Sequence, residues 1–196
     1  LKKNITSLFN TTDIEFFSNS LFVATNGGLY SISDNSFLDH SDKLNTFSLN
    51  GLYIDNNQMW VTSDYKGMLQ IFDTDFNIIK IVNYPLFDSI EKTVFSTDYA
   101  YSIVLNDNSY FLVQYLKNND SPIYLNSLMN FDLSYNIIND IQIYNNSVYI
   151  ATDNGLLSAE LEENENNLIN SNFWSISFEG HSIENLSMPY FFSNNE

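Results

Sequence analysis

Apolar residues in this chain come in short runs, each closed by a polar pair or triplet rich in Asn, Asp, Ser and Gly. Successive residues of a strand point to opposite faces. In "VYIAT" (Val148–Thr152), Val148 and Ile150 share one face and Tyr149 and Ala151 the other, and both pairs are apolar. "LFVAT" (Leu21–Thr25) and "MWVT" (Met59–Thr62) do the same. A sheet with one wet face alternates apolar and polar residues along its strands. Strands apolar on both sides fit small sheets covered on both faces. No convincing helical periodicity is present. "SAELEENENNLINS" (Ser158–Ser171) has some helical character but reads as an acidic, Asn-rich loop carrying Glu160, Glu162, Glu163 and Glu165.

The pattern repeats. "LFVATNGGLY" (Leu21–Tyr30) returns as "VYIATDNGLL" (Val148–Leu157), and between them lie "MWVTSDYKGMLQIF" (Met59–Phe72) and a degenerate copy without Gly, "YSIVLNDNSYFLV" (Tyr101–Val113). The copies, aligned on Leu21, Met59, Tyr101 and Val148, are 38, 42 and 47 residues apart, a period that marks a solenoid, propeller or array. Each is preceded by an apolar run and a turn: "IEFFSNS", "LYIDNNQ", "VFSTDYA" and "IQIYNNS". Asn and Asp tolerate positive φ and bond their own backbone, so apolar run, Asn or Asp turn, apolar run predicts a hairpin. A third run follows each copy: "GLYSIS", "GMLQIF", "SYFLV" and "GLLSAEL". The fourth strand is expected at "NTFSL" (Asn45–Leu49), "IIKIVNY" (Ile78–Tyr84), "SPIYL" (Ser121–Leu125) and "FWSISF" (Phe173–Phe178).

Repeated four-stranded sheets of this period, apolar on both faces, predict an all-β chain of β-propeller blades. Membrane-barrel strands are longer and polar on one side, and a sandwich of independent hairpins would not repeat one phrase at the same place in each unit. The expected blades span 13–50, 51–86, 92–126 and 139–179. The closing "FFSNNE" (Phe191–Glu196) matches "FFSNSL" (Phe16–Leu21) in its first four residues, so 183–196 is expected to begin a further blade. The chain then reads as an incomplete arc of a larger ring, prone to associate through an uncovered terminal face.

Charge narrows the partners. There are 24 acidic residues against 7 basic, a net charge of −17 at pH 7, and every basic residue is Lys. Phosphate backbones and anionic bilayers need clustered cations, so nucleic acid and direct membrane insertion are not expected. The chain has no Cys, which removes disulfides, thiolate metal sites and thiol nucleophiles.

Candidate chemistry is sparse. Gly28, Gly67 and Gly155 fall at the turn between the second and third strands, where positive φ is needed. Thr25, Thr62 and Thr152 are expected to bond between strands or blades, and Trp60 and Tyr149 to pack between blades. His40 and His181 lie in expected loops with no partner at metal spacing. "DTD" (Asp73–Asp75) and "NDN" (Asn106–Asn108) offer oxygens for Ca²⁺ but lack the spaced Gly and Glu of a calcium loop, and read as solvated turns. No catalytic residue, metal or cofactor is assigned.

"LFVATNGGLYSI", "MWVTSDYKGMLQIF" and "VYIATDNGLLSA" resemble the two-component regulator propeller repeat: an aromatic–hydrophobic pair, Gly or Ala, Thr, a polar turn, then Gly-Leu and an apolar strand. The repeat is similar to those in periplasmic sensor regions of hybrid histidine kinases and in the propeller protein of the type IX secretion system. The resemblance implies a non-enzymatic bacterial binding or scaffold module, periplasmic, secreted or at the cell surface, contacting a protein or extracellular ligand. The Gly-less third copy departs from the pattern. Propellers also host glycosidases and lyases, so a carbohydrate-active enzyme is the alternative.

Overall fold

The computed structural model describes residues 10–33, 36–83, 87–117, 122–127, 137–161 and 168–186. Glu162, Glu163, Glu165 and the closing residues 187–196 lie outside them. Sixteen strands form four four-stranded antiparallel sheets, each in sequential order, and no α-helix occurs among the described residues. Sheet 1 is β1 (Thr11–Phe17), β2 (Ser20–Thr25), β3 (Gly28–Ser33) and β4 (Ser36–Asp39); sheet 2 is β5 (Leu49–Asp55), β6 (Gln58–Ser63), β7 (Met68–Phe72) and β8 (Ile78–Asn83). Sheet 3 is β9 (Ser89–Phe95), β10 (Tyr99–Asn106), β11 (Ser109–Leu116) and β12 (Pro122–Ser127). Sheet 4 is β13 (Ile138–Tyr144), β14 (Ser147–Thr152), β15 (Gly155–Glu160) and β16 (Ser175–Ser177). The chain divides into two compact units, residues 1–125 and 126–196.

One fourth strand differs from expectation. "NTFSL" is not the outer strand of sheet 1; that place is taken by β4, whose Leu38 pairs with Ser31 and whose Phe37 ring stacks on Tyr30 at 5.4 Å. A single 3-10 turn at Ser41–Lys43 then redirects the chain, and Leu49 already pairs in sheet 2. The apolar residues of "NTFSL" mark a connection and a strand start.

The hairpins use two turn chemistries. Ser18–Asn19, Asn56–Asn57 and Asn145–Asn146 close the first hairpins of sheets 1, 2 and 4 with φ between 45° and 62° at both positions. Paired positive φ matches the right-handed strand twist, as in type I′ turns. The second hairpins of sheets 1 and 4 instead use a hydroxyl. Thr25 Oγ1 donates to the Gly28 carbonyl at 2.9 Å and accepts from the Gly27 N–H at 3.0 Å. Thr152 Oγ1 donates to Gly155 at 2.8 Å and accepts from the Asn154 N–H at 3.1 Å. In sheet 2 that role passes to Ser63, which donates to the Met68 carbonyl, while Lys66 and Gly67 take φ of 54° and 52°. Thr62 bonds weakly across to Gly51, 3.4 Å away.

Sheet 3 exchanges the two chemistries. Its first hairpin carries the hydroxyl turn, with Ser96 Oγ donating to the Tyr99 carbonyl, and its second is the Asp107–Asn108 pair at φ 46° and 63°. An Asp-Asn turn of this kind has no need of Gly, which explains the Gly-less copy.

The first unit is built by facing sheets. Phe17, Phe22, Ala24 and Leu29 of sheet 1 pack on Leu52, Met59, Val61 and Phe72 of sheet 2, with Phe76 from the β7–β8 loop completing the cluster. On the other face of sheet 2, Trp60, Leu69, Ile71 and Val82 pack on Ile90, Ala100, Val104, Val113 and Tyr115 of sheet 3. In the second unit Val148, Ile150 and Leu157 are fully buried on one face of sheet 4.

Gly155 has φ +144°, and a Cβ there would stand 3.1 Å from the Ser177 carbonyl oxygen. Gly155→Val should therefore cost roughly 1–3 kcal/mol through backbone strain alone. Asn154→Ser, at a position that is not among the positive-φ residues, should leave thermal stability nearly unchanged. Equal melting temperatures for the two variants would contradict the turn assignment.

Candidate functional site: the aromatic row and the concavity on sheet 4

The register of each sheet sets one cross-strand row at the centre of the face that looks toward the following repeat. The row is Glu15–Phe22–Ser31–Leu38 in sheet 1, Tyr53–Trp60–Ile71–Lys80 in sheet 2 and Gln142–Tyr149–Ser158–Ser175 in sheet 4. Phe22, Trp60 and Tyr149 thus hold one position in these three sheets, and Tyr101, paired with Val94 and Gln114, holds it in sheet 3.

In sheets 1 and 2 the position is sealed. Phe22 stacks on Phe76 at 5.3 Å, and Phe76 lies flat against Phe72 at 4.4 Å. Trp60, with no exposed surface, meets Phe95 and Tyr115 edge-on at 4.9 and 5.5 Å. Cations close these junctions. Lys117 Nζ lies 2.8 Å from Asp55 Oδ2 and donates to the Ser96 carbonyl, while Lys80 sits over the Tyr115 ring. Lys43 Nζ donates to the Phe76 carbonyl at 2.8 Å and sits over the ring of that residue.

In sheet 4 the same face opens into a concavity of about 340 Å³, lined by Ser147, Tyr149, Ser158, Glu160, Phe173 and Ser175. Its volume is at the lower end of the range for ligand cavities. Two aromatic rings, three serine hydroxyls and the Glu160 carboxylate suit aromatic, hydroxylated or cationic groups rather than anions. Tyr149 is half-buried there, where Trp60 is sealed. Sequence pattern located Tyr149; Phe173 is brought in by the 3-10 turn at Ser171–Phe173, which no periodicity signalled.

A second contact joins successive repeats at the inner strand. Each inner strand of sheets 1, 2 and 4 carries a bulge, at Thr12, Asn50 and Asn139. A bulge re-aims the side chains beside it. The Leu52 N–H donates to Asp13 Oδ2 at 2.8 Å, and Asn50 Nδ2 donates to the Ile90 carbonyl at 2.9 Å. In the second unit Asn139 Nδ2 donates to the Ile183 carbonyl and the Leu186 N–H to Asp140 Oδ2, both at 2.9 Å.

The remaining candidates are structural. Gly28 and Gly155 stand just after their turns at φ +135° and +144°. Asp73 closes the 73–77 loop: its Oδ1 accepts from the Asn77 and Asp75 N–H groups, and the Asn77 backbone bond foremost holds its pKa below the ordinary carboxylate value. Asp107 and Asn108 form a turn, and no group of three His, Asp or Glu at metal-binding distance occurs among the described residues. His181 is exposed in a turn beside Glu179. His40 instead lies in the sheet 1–sheet 2 junction, where its Nε2 is 2.8 Å from Ser31 Oγ and its ring contacts Phe22 and Phe76.

No protein-family model and no curated protein matches this sequence. Solved structures do. The extracellular domain of a putative hybrid two-component system of B. thetaiotaomicron superposes with a TM-score of 0.59 at 14% identity, over 81% of this chain and 22% of that one. PorZ, a surface component of the type IX secretion system of Porphyromonas gingivalis, gives 0.58 at 14% identity, over 89% and 23%. The chain therefore spans less than a quarter of either protein. At this identity the likeness defines the class of fold: all-β, propeller-like, built of four-stranded antiparallel sheets. The two neighbours are of the kinds to which the repeats were likened, a hybrid two-component sensor and a type IX secretion component.

Burial, then the Lys43 charge, lowers the His40 pKa, with Asp42 and Asp39 opposing. A folded-state pKa below the unfolded value of about 6.5 means the unfolded chain takes up the proton first, so stability falls as pH drops below that value. His40→Gln removes this contribution. Between about pH 7.5 and 5.5 the melting temperature should fall further for the native chain than for His40→Gln. Equal falls would show that His40 does not titrate against folding.

Proposed function

We propose that this chain is a non-enzymatic binding or scaffold module of a larger extracytoplasmic bacterial protein, acting through the faces of its sheets. The observation that carries the reading is the apolar face of sheet 1 turned away from sheet 2. Ile14, Phe16, Leu21 and Ile32 stand there side by side with exposures of 51%, 64%, 39% and 39%. The residues of sheet 2 that match Ile14, Leu21 and Ile32, namely Leu52, Met59 and Phe72, are at most 1% exposed under sheet 1, while Ile54, which matches Phe16, is 37% exposed. An exposed apolar patch on so acidic a chain marks a contact surface.

The neighbours support the same reading, one being a sensor's extracellular domain and the other a bacterial surface component. In this reading the four sheets take their place in a propeller with additional sheets. Blades of 13–50, 51–86, 92–126 and 139–179 are the corresponding assignment, with Leu49 and Asn50 moved to the second. The partner is a protein or extracellular ligand. Glycoside cleavage ordinarily uses two opposed carboxylates. Among the described lining residues of the sheet 4 concavity Glu160 supplies one, so no observation favours the enzyme reading. No helix among the described residues is long and apolar enough to cross a membrane.

Sedimentation velocity tests the contact face. The native chain should associate with rising concentration, and Phe16→Ser/Leu21→Ser, altered at two exposed positions, should sediment as a 22.6 kDa monomer. A native chain monomeric at every concentration would overturn the assignment of this face.

A further inference from the structure

We infer that the sheet 4 concavity is a binding site for a small organic cation carrying a primary ammonium group on an alkyl chain of lysine length. The site is separate from the contact face of sheet 1, and either reading can fail without the other.

The first unit supplies the pattern. Both of its sheet junctions hold a lysine ammonium against an aromatic ring. Lys43 Nζ lies 4.8 Å from the Phe76 ring centroid, and Lys80 Nζ lies 5.4 Å from that of Tyr115. Lys80 ends the cross-strand row Tyr53–Trp60–Ile71–Lys80. The row of sheet 4 keeps a ring at Tyr149, but Ser175 stands in the place of Lys80. An acid borders that row, since Glu160 is paired with Ser147 on the same face. Ring and carboxylate are thus present without the cation that accompanies such rings in the first unit. The second unit cannot provide one of its own at neutral pH, because residues 118–196 contain no Lys or Arg.

The lining groups match an ammonium ion. No hydrogen bond or ion pair joins the Glu160 carboxylate to another described residue, and Tyr149 and Phe173 make no ring contact with one. An ammonium has three N–H donors and no acceptor. The Glu160 carboxylate and the hydroxyls of Ser147, Ser158 and Ser175 can accept those donors, while the faces of Tyr149 and Phe173 attract the charge. The concavity, about 340 Å³, accommodates a molecule of side-chain size. The net charge of −17 raises the local concentration of any cation.

Nα-acetyl-lysine amide is the probe, and Nα-acetyl-norleucine amide, which lacks only the ammonium, is its neutral control. In an NMR titration of the full chain at about pH 7.5, the lysine amide should shift the ring resonances of Tyr149 and Phe173 saturably. Its affinity should exceed that of the norleucine amide roughly tenfold or more. Glu160→Gln should weaken binding roughly tenfold. Ser175→Lys, which places an internal ammonium where sheet 2 has Lys80, should abolish it. Both positions are exposed, and unchanged amide spectra away from sheet 4 will show that the variants keep the fold. The absence of a saturable shift, equal binding of the two amides, or binding unaffected by either substitution would overturn the proposal.

Discussion

The insertion of one sheet's second-strand aromatic into the following sheet is the contact on which the rest of this structure depends. Four strands of three to eight residues make a sheet too small to bury a core alone. Its apolar residues point to both faces, so each sheet requires a neighbour on either side. Phe22 meets that need through Phe76 and Phe72, and Trp60 through Phe95 and Tyr115. Truncating a ring so buried typically costs about 3–5 kcal/mol, a large share of a domain's net stability. The hairpins hold strands in register; the rings decide which sheets meet.

Polar groups fix how they meet. The inner-strand bulges turn Asn50 toward the Ile90 carbonyl of the next sheet and Asn139 toward the Ile183 carbonyl. The lysines are spent in the same places. Of seven in the chain, Lys43, Lys80 and Lys117 sit at sheet junctions, over aromatic rings or against carbonyls and Asp55. Lys80 and Lys117 are partly buried there, while Lys43, Lys66 and Lys92 stay exposed among the 24 acidic residues of the chain. That surface repels anions, while the exposed apolar face of sheet 1 offers a contact for something uncharged or basic.

The strand plan was legible because two signals coincided, apolar runs on both strand faces and Asn or Asp pairs between them. Asn56–Asn57 and Asn145–Asn146 were readable as turns, since few residues tolerate positive φ twice in succession. Three features were not readable. Ser63 does the work of Thr25 because it holds the same register place, paired with Leu49 as Thr25 is with Thr11, while Thr62 holds the place of Ala24. "NTFSL" carries the apolar density of a strand, yet the 3-10 turn before it moves Leu49 into the next sheet. His40 reads as a loop residue, and its burial depends on Phe76, which lies far along the chain. Local pattern reports hairpins well, and side chains that work between sheets poorly. The concavity falls in the second group: Tyr149 was visible as a repeat position and Glu160 follows from the β14–β15 hairpin, but Phe173 joins them through a 3-10 turn that pattern does not encode.

Native-state hydrogen exchange at the Leu52 amide tests the inter-repeat contact most directly. That amide faces away from β6 and its acceptor is the Asp13 carboxylate of the preceding sheet. The account predicts strong protection in the native chain and its loss in Asp13→Ala, with amides of β6 unaffected. Rapid exchange of Leu52 in the native chain, or protection that survives Asp13→Ala, would contradict it.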